Sequence, residues 1–390
     1  MSDDPRSYLV PDYYPDFQCK MGDCRHACCE GWPISLSMTD YFRLLGADCP
    51  PDMRDRLDRA LRIALHPTPD RYAQLVPRYD GSCAMHMPDG RCAIHAYLGP
   101  ENLAAVCRLY PRGVRTGEFR EASCANSCEA VVEMLLERDA PMRFIPRPVQ
   151  HCLPDAPPRR HPFHTGGREQ EIRLWLIRHL QARDIPLPRR MLRLGHALQA
   201  MDEALAARDD VRVDALLSGR EALPAPLTPA AGHDQLLSGL ETAEKLMDII
   251  DGRSRSVHDY GETALAYFGQ GETAYARYQA AAEQFARIVP GWETWLEQLL
   301  VNHMFFSQFP FQDRPVPLRD EYFALCAVYV LLRFLLIGWT AEHPTREAAV
   351  DVAAAAFRLI AHTDFDCVAA PIMRRIGCDD WQHLQQLLGL

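Results

Sequence analysis

The sequence predicts a mainly α protein in which a loop-rich, cysteine-cluster N-terminal domain with short strands precedes a helical-bundle region. Three observations carry this reading. Four cysteines crowd one short stretch at Cys19, Cys24, Cys28 and Cys29, and five more follow at Cys83, Cys92, Cys107, Cys124 and Cys128. Prolines then punctuate residues 140–163 from Pro141 to Pro162, a composition that breaks regular structure and marks a linker. Beyond it, apolar residues recur at helical spacing without any alternation of strands and helices.

Composition sets the bounds. At 390 residues and 48% hydrophobic content, the chain can bury the cores of two or three domains. The expected division is a cysteine-rich metal-binding domain over 1–139, a linker over 140–163, a helical pair over 164–222 and a C-terminal helical domain over 229–390. Acids outnumber bases by 52 to 42, for a net charge of −10, so nucleic acid is not expected as a partner. Lys20 and Lys245 are the only lysines; all other fixed positive charge is arginine. The opening Met1–Tyr8 is acidic and polar and does not read as a signal peptide. The longest apolar run, Tyr322 to Trp339, is short for a bilayer and carries Arg333, so it is expected as a buried core helix with no membrane insertion. A cytoplasmic location follows, where thiols stay reduced and clustered cysteines read as metal ligands or redox groups before disulfides.

The elements follow in order. Residues 1–18 interleave Tyr8, Tyr13, Tyr14 and Phe17 with Pro11 and Pro15, which predicts a strand or arm rather than a helix. Ile34–Met38 alternates apolar and polar residues as a short strand, and Thr39-Asp40 is expected to cap a helix starting at Tyr41. Met53, Leu57, Ala60, Leu61, Ala64 and Leu65 predict a helix over 52–65. Asp89-Gly90 between Cys83 and Cys92 predicts a hairpin with a cysteine at each stem. One or two helical turns over 103–110 stop at Pro111. A strand is expected over 119–123, then a helix opening at Cys124 that puts Cys124 and Cys128 on one face. For Cys128, packing as a small apolar group competes with a ligand role. Cys49, Cys152, Cys326, Cys367 and Cys378 are isolated and assigned to packing. Past the linker, helices are expected over 168–182 and 189–208, paired through Pro186-Leu187-Pro188. Further helices are expected near 233–250, 271–288, 292–307, 319–340, 346–362 and 379–389.

Several chemistries are excluded by missing motifs. No Gly-x-Gly-x-x-Gly follows a strand, and there is no P-loop, His-Glu-x-x-His or Gly-x-Ser-x-Gly. A Cys-x3-Cys-x2-Cys radical motif also fails, because Gly31 and Val131 stand where the third cysteine belongs. The remaining chemistry is thiolate: soft ligands that favour zinc, Cu(I) or iron–sulfur clusters. Zinc fingers usually show two separated Cys pairs. An adjacent pair with long irregular spacings suits a cluster gripped from several loops, so a [4Fe–4S] cluster is favoured and zinc is the alternative. His26, His86 and His95 lie among the cysteines.

These residues carry a resemblance. Phe17-x-Cys19-x4-Cys24-x3-Cys28-Cys29-x-Gly31-Trp32-x-Ile34 resembles the opening of the flagellin lysine-N-methylase (FliB-type) family. Cys83, the run Gly90 to His95, Val106-Cys107-Arg108-x-Tyr110-Pro111-Arg112 and Ser123-Cys124 follow in the family's order. Leu300 to Phe305, Phe309-Pro310-Phe311, Asp320-x-Tyr322 and Arg358 to His362 resemble its helical region. Cys24 to Cys29 with Cys83, Cys92 and Cys107 is also similar to zinc- or iron-chelating cysteine-cluster proteins. The family resemblance implies transfer of methyl groups from S-adenosyl-L-methionine to lysines of flagellin, its protein partner, in the cytosol. It implies a metal site with a structural role, held among Cys19, Cys24, Cys28, Cys29, Cys83, Cys92, Cys107 and Cys124. Where the resemblance is densest outside the cysteines, Tyr110 and His303 become the catalytic candidates. Trp32, Arg108, Arg112 and Asn302 become candidates for binding substrate or donor. The alternative, from another class, is a non-enzymatic cysteine-cluster protein that binds metal and a partner.

Overall fold

The computed structural model describes residues 7–25, 28, 34–79, 81–116, 119–149, 163–225, 233–250, 254–269, 271–312, 316–363 and 365–389. Along the chain run β1 (Ser7–Pro11), β2 (Ile34–Leu36), α1 (Met38–Leu45), α2 (Pro51–Ala60), β3 (Leu61–Ile63), β4 (Ala73–Leu75), α3 (Ala93–Leu98), α4 (Ala105–Leu109), β5 (Arg112–Arg115), β6 (Glu121–Cys124), α5 (Glu129–Leu136) and β7 (Phe144–Pro148). Helices follow: α6 (Glu169–Leu180), α7 (Leu187–Ala206), α8 (Asp210–Leu217), α9 (His233–Ile250), α10 (Arg255–Phe268), α11 (Glu272–Ile288), α12 (Trp292–Ser307), α13 (Leu318–Glu342), α14 (Arg346–His362), α15 (Phe365–Arg375) and α16 (Trp381–Leu387). The chain is mainly α, with its short strands confined to the N-terminal region. It forms two compact units. A cysteine unit gathers Asp16–Gly113 and Cys128–Ala130; a helical unit gathers Met1–Pro15, Val114–Ser127 and Val131–Leu390. The expected divide at residue 140 therefore falls inside the helical unit.

The cysteine unit is built on the antiparallel sheet β2-β4-β3, with Leu36 opposite Ala73 and Leu61 opposite Leu75. Ile34, Leu36, Leu44, Met53, Leu57, Leu75, Met85 and Ile94 form its core. Two expectations shift here. Ser37, not Thr39-Asp40, caps α1: its Oγ accepts from the Asp40 N–H at 3.0 Å, so the helix begins at Met38. The helix expected over 52–65 ends at Ala60, because Leu61–Ile63 pairs with β4 and pairing overrides local periodicity.

The helical unit opens with a sheet of order β5-β6-β1-β7, in which β1 runs parallel to β6 and antiparallel to β7. The residues expected as linker thus contain a strand. β7 lies at the sheet edge, where Pro146 and Pro148 can sit without a donor. Cys124 ends β6 and α5 starts only at Glu129, so Cys124 and Cys128 do not share a helix face as expected. Helices α7, α9, α10, α11, α12, α14 and α15 pack against α13, while α6 and α8 pack on α7 and α16 on α9. By length and hydropathy α13 would pass for a membrane span, but 94% of its most apolar window is buried inside the protein. Gly338 on α13 makes room for α10: a Cβ there would strike Ala264. Neither α10 nor α15 was expected. Gly261 lies inside the first, where a Cβ would strike Met247, and Pro371 lies inside the second.

Candidate metal centre

The cysteine unit brings distant cysteines together through backbone turns. Met21 and Gly22 take left-handed conformations (φ 54° and 122°), which fold the Cys19–Cys24 loop back on itself. Gly90, also at positive φ (84°), closes the second turn: Gly90 N–H donates to Met87 O at 3.0 Å, and Met87 N–H to Arg91 O at 2.9 Å. The two glycines meet backbone to backbone. A Cβ on Gly90 would collide with the Gly22 carbonyl, so side-chain-free residues allow the loop and the turn to dock. The predicted turn is present, but its ladder is a single bridge between His86 and Cys92 rather than one joining Cys83 to Cys92.

Backbone amides point at the sulfurs. Met21 N–H donates to Cys19 Sγ and Met85 N–H to Cys83 Sγ, each at 3.4 Å, and the amides of Ile94 and His95 favour the Cys92 thiolate. Burial acts the other way. It pushes the Cys24 thiol up to about 11, helped by Glu129, Cys19 and Cys28 and opposed by Lys20. Burial also raises Cys107, with Cys28, Cys92 and Cys83 adding repulsion, and raises Cys92, where Cys83 and Cys28 add to it. Cys28 is thus the common neighbour of two sets, Cys19–Cys24 on its own loop and Cys83–Cys92–Cys107 on other elements. Buried thiols that repel one another once ionised, yet receive N–H donors, form a donor set that a metal cation or cluster would satisfy. Among the described residues no three cysteine sulfurs lie within 4.8 Å of one another. A tetrahedral zinc site with bonds of about 2.3 Å would hold its sulfurs roughly 3.8 Å apart. Among the described residues, Asp379, Asp380 and His383 bring ligand atoms within 4.8 Å of one another at an exposed place, with Asp380 capping α16 through the His383 N–H.

Charged side chains hold the walls of the thiol set. Arg56 donates to Ala84 O at 3.0 Å and Arg78 to His86 O at 2.6 Å, pinning the turn after Cys83. Asp40 is buried, accepts the Ala105 N–H at 3.2 Å and pairs with Arg43, so it anchors the first turn of Cys107's helix. Its carboxyl is lowered: burial, the largest influence, works to raise it, but the Ala105 N–H, the Ser37 cap and Arg43 outweigh that.

The other sequence candidates are distributed as follows. Cys29 and Trp32 lie outside the described residues. Arg108 donates to the Glu101 and Leu103 carbonyls at 2.9 Å each, and Arg112 stacks 4.8 Å over the Phe17 ring. Tyr110 is half-buried in the cysteine unit, whereas His303 is half-buried on α12 of the helical unit, its ring 5.5 Å from Phe357. Cys124 belongs to the helical unit and is fully buried. There the Tyr13 hydroxyl donates to Asn302 Oδ1 at 2.7 Å and accepts the Cys124 N–H at 3.1 Å. Asn302 Nδ2 donates to Cys124 O at 2.8 Å and to Asn126 Oδ1 at 2.6 Å. Asn302 is therefore a cross-link between α12 and the end of β6, its amide fully engaged inside the unit. Residues that sequence reasoning missed include Asp40, Arg56, Arg78 and Glu129, and the buried pairs Glu121–Arg173 and Glu297–Arg190. No periodicity or motif distinguishes these charges from the many solvated ones.

Comparison with known proteins agrees with this division. The family model for the FliB lysine N-methylase C-terminal domain matches residues 173–387, which lie wholly in the helical unit. The chain is 26% identical over 133 residues to a lysine-N-methylase of Salmonella choleraesuis (strain SC-B67), and equally to that of Salmonella typhimurium (strain LT2). Each of these matches covers 32% of this chain and 31% of the relative, so the chain spans about a third of their length. The flagellar biosynthetic protein FliU of Salmonella muenchen is also 26% identical over 133 residues, covering 32% of this chain and 75% of that protein. No solved structure matches. With more than half of its residues under that family model, the chain belongs to the FliB lysine N-methylase family.

Proposed function

We propose that this protein methylates lysine side chains of a protein substrate, that the substrate is flagellin, and that S-adenosyl-L-methionine is the methyl donor. The observation that carries the reading is the family match over 173–387; the flagellar name of the Salmonella muenchen relative favours flagellin. The chemistry sets what the chain must do. A free lysine titrates near ~10.4, and its ammonium has no lone pair. Desolvation must lower that value, and the amine must be held in line with the methyl carbon at about 3–3.5 Å. The donor supplies an electrophilic methyl group; deprotonating and aligning the amine falls to protein side chains, for which His303 is the candidate within the helical unit that the family model covers.

The thiol set of the cysteine unit is read as a structural metal centre, with Cys28, Cys83, Cys92 and Cys107 as holding residues and Cys19 and Cys24 beside them. Methyl transfer from a sulfonium is a polar displacement that requires no electron. A closed thiolate site would instead hold together a unit with few regular elements. A [4Fe–4S] cluster is favoured over zinc because the adjacent Cys28-Cys29 pair and the long irregular spacings suit a cluster gripped from several loops.

Mass spectrometry of flagellin from cells with and without this protein tests the function. Methylated lysines present only with the protein are expected. Flagellin of identical mass in both strains, from a chain that still binds metal, would favour the non-enzymatic cysteine-cluster reading.

A further inference from the structure

We propose that Glu129 is a positioning residue of the thiol centre, fixing the Cys19–Cys28 loop against the other cysteines; this rests on reading that thiol set as a metal centre. Glu129 is the first residue of α5 and is buried, its side chain only 1% exposed. Three contacts on its carboxylate come from one loop. Lys20 Nζ donates to Oε1 at 2.6 Å, the Arg25 N–H donates to Oε2 at 2.9 Å, and Arg25 Nη1 approaches Oε1 at 3.3 Å. One carboxylate thereby grips the loop on both sides of Cys24, directly after Cys19 and three residues before Cys28.

The geometry calls for such a grip. The loop contains two left-handed residues, Met21 and Gly22, and the Asp23 N–H donates to Lys20 O at 3.2 Å within it. Three half-buried or buried thiols on other elements, Cys83, Cys92 and Cys107, stay where secondary structure and arginine clamps put them. Cys28 must be brought to them by the loop. A buried carboxylate with a charged partner and a backbone donor is a rigid anchor, because either bond lost leaves desolvated charge uncompensated.

The test compares wild type with Glu129→Ala, Glu129→Gln and Lys20→Met in the whole chain as purified. Iodoacetamide labelling is mapped cysteine by cysteine, and metal per chain is measured alongside. In Glu129→Ala, Cys24 and Cys28 are expected to label about tenfold faster while Cys326, buried in the helical unit, keeps its wild-type rate. Glu129→Gln, which still accepts the Arg25 N–H, and Lys20→Met should fall between, and metal content should decline in the same order. Unchanged labelling of Cys24 and Cys28 in Glu129→Ala would overturn the proposal. So would a rise shared equally by Cys326, which would mean general unfolding. A wild-type chain that holds no metal would sink the metal reading by itself, with the labelling contrast still deciding whether Glu129 holds the loop.

Discussion

At the residue scale, a polar side chain in an apolar helix matters through what it leaves unsatisfied when removed. Asn302→Ala would remove one partner each from the Tyr13 hydroxyl, the Cys124 carbonyl and Asn126 Oδ1 in a fully buried place, leaving Tyr13 and Cys124 to bond each other. An unsatisfied buried group costs about 1–3 kcal/mol, so a loss on the order of 2–4 kcal/mol is expected in urea unfolding. A smaller loss is expected for Tyr13→Phe. Gly90→Ala asks a Cβ to occupy a left-handed backbone and the space of the Gly22 carbonyl. It is expected to release metal from the cysteine unit while leaving the helical unit's melting unchanged, as calorimetry with metal analysis would show. His179 gives a pH dependence. Burial, with Arg193 and Arg178 adding to it, lowers its imidazole from 6.5 to about 4. The folded protein thus holds it neutral where the unfolded chain would protonate it. Its contribution is fully present above about 6.5 and is progressively lost as pH falls through the window toward 4. His179→Phe should flatten the melting temperature between pH 7 and pH 5; an unchanged slope would refute this.

At the element scale, the helical unit is stitched by buried ion pairs between helices and the sheet. Arg173 of α6 donates to both oxygens of Glu121 on β6 at 2.9 and 2.8 Å, and its second Nη donates to Phe305 O of α12 at 3.2 Å. Glu297 of α12 likewise receives Arg183 at 2.8 Å and also pairs with Arg190. Removing one member of a buried pair costs about 3–5 kcal/mol, whereas replacing both with apolar residues of similar volume is often nearly neutral. Glu121→Ala should therefore destabilise strongly. The double change Glu121→Met with Arg173→Met should recover most of that loss; a double mutant as unstable as the single would show that Arg173 acts mainly through Phe305. Gly338→Ala, by wedging α10 off α13, should cost about 1–3 kcal/mol as overpacking does.

At the scale of the whole molecule, the two units differ in what holds them. The helical unit has a continuous core around α13. The cysteine unit has three-residue strands and short helices, which is the situation in which a metal contributes folding energy outright. Cys28 neighbours both thiol sets, so on the proposed metal centre Cys28→Ser is expected to abolish metal binding and lower the melting temperature of the cysteine unit. Cys367→Ser, at an exposed position of the helical unit, should leave both unchanged. Protein purified without oxygen should be brown if the centre is an iron–sulfur cluster, and colourless with stoichiometric zinc if it is not.

The sequence alone determined the class of fold, most of the long helices and the family, because helical periodicity and cysteine order are local and can be read one residue after another. The 25-residue helix α13 lies within two residues of its expected ends for that reason. It also determined that a turn lies at Asp89-Gly90, since only glycine takes that backbone cheaply. Tertiary structure decided the rest. It ended α2 at Ala60 by pairing Leu61–Ile63 with β4, and it drew a proline-rich stretch into β7 as an edge strand. It also placed Cys124 with Tyr13 and Asn302 in the helical unit. Above all it chose which charges are buried. Glu129, Asp40, Glu121 and Glu297 look like any of the fifty-two acids until the fold supplies their arginines, lysine and backbone amides. Their partners Ala105, Arg173, Lys20 and Arg190 stand 65, 52, 109 and 107 residues away in the chain and leave no trace in local pattern.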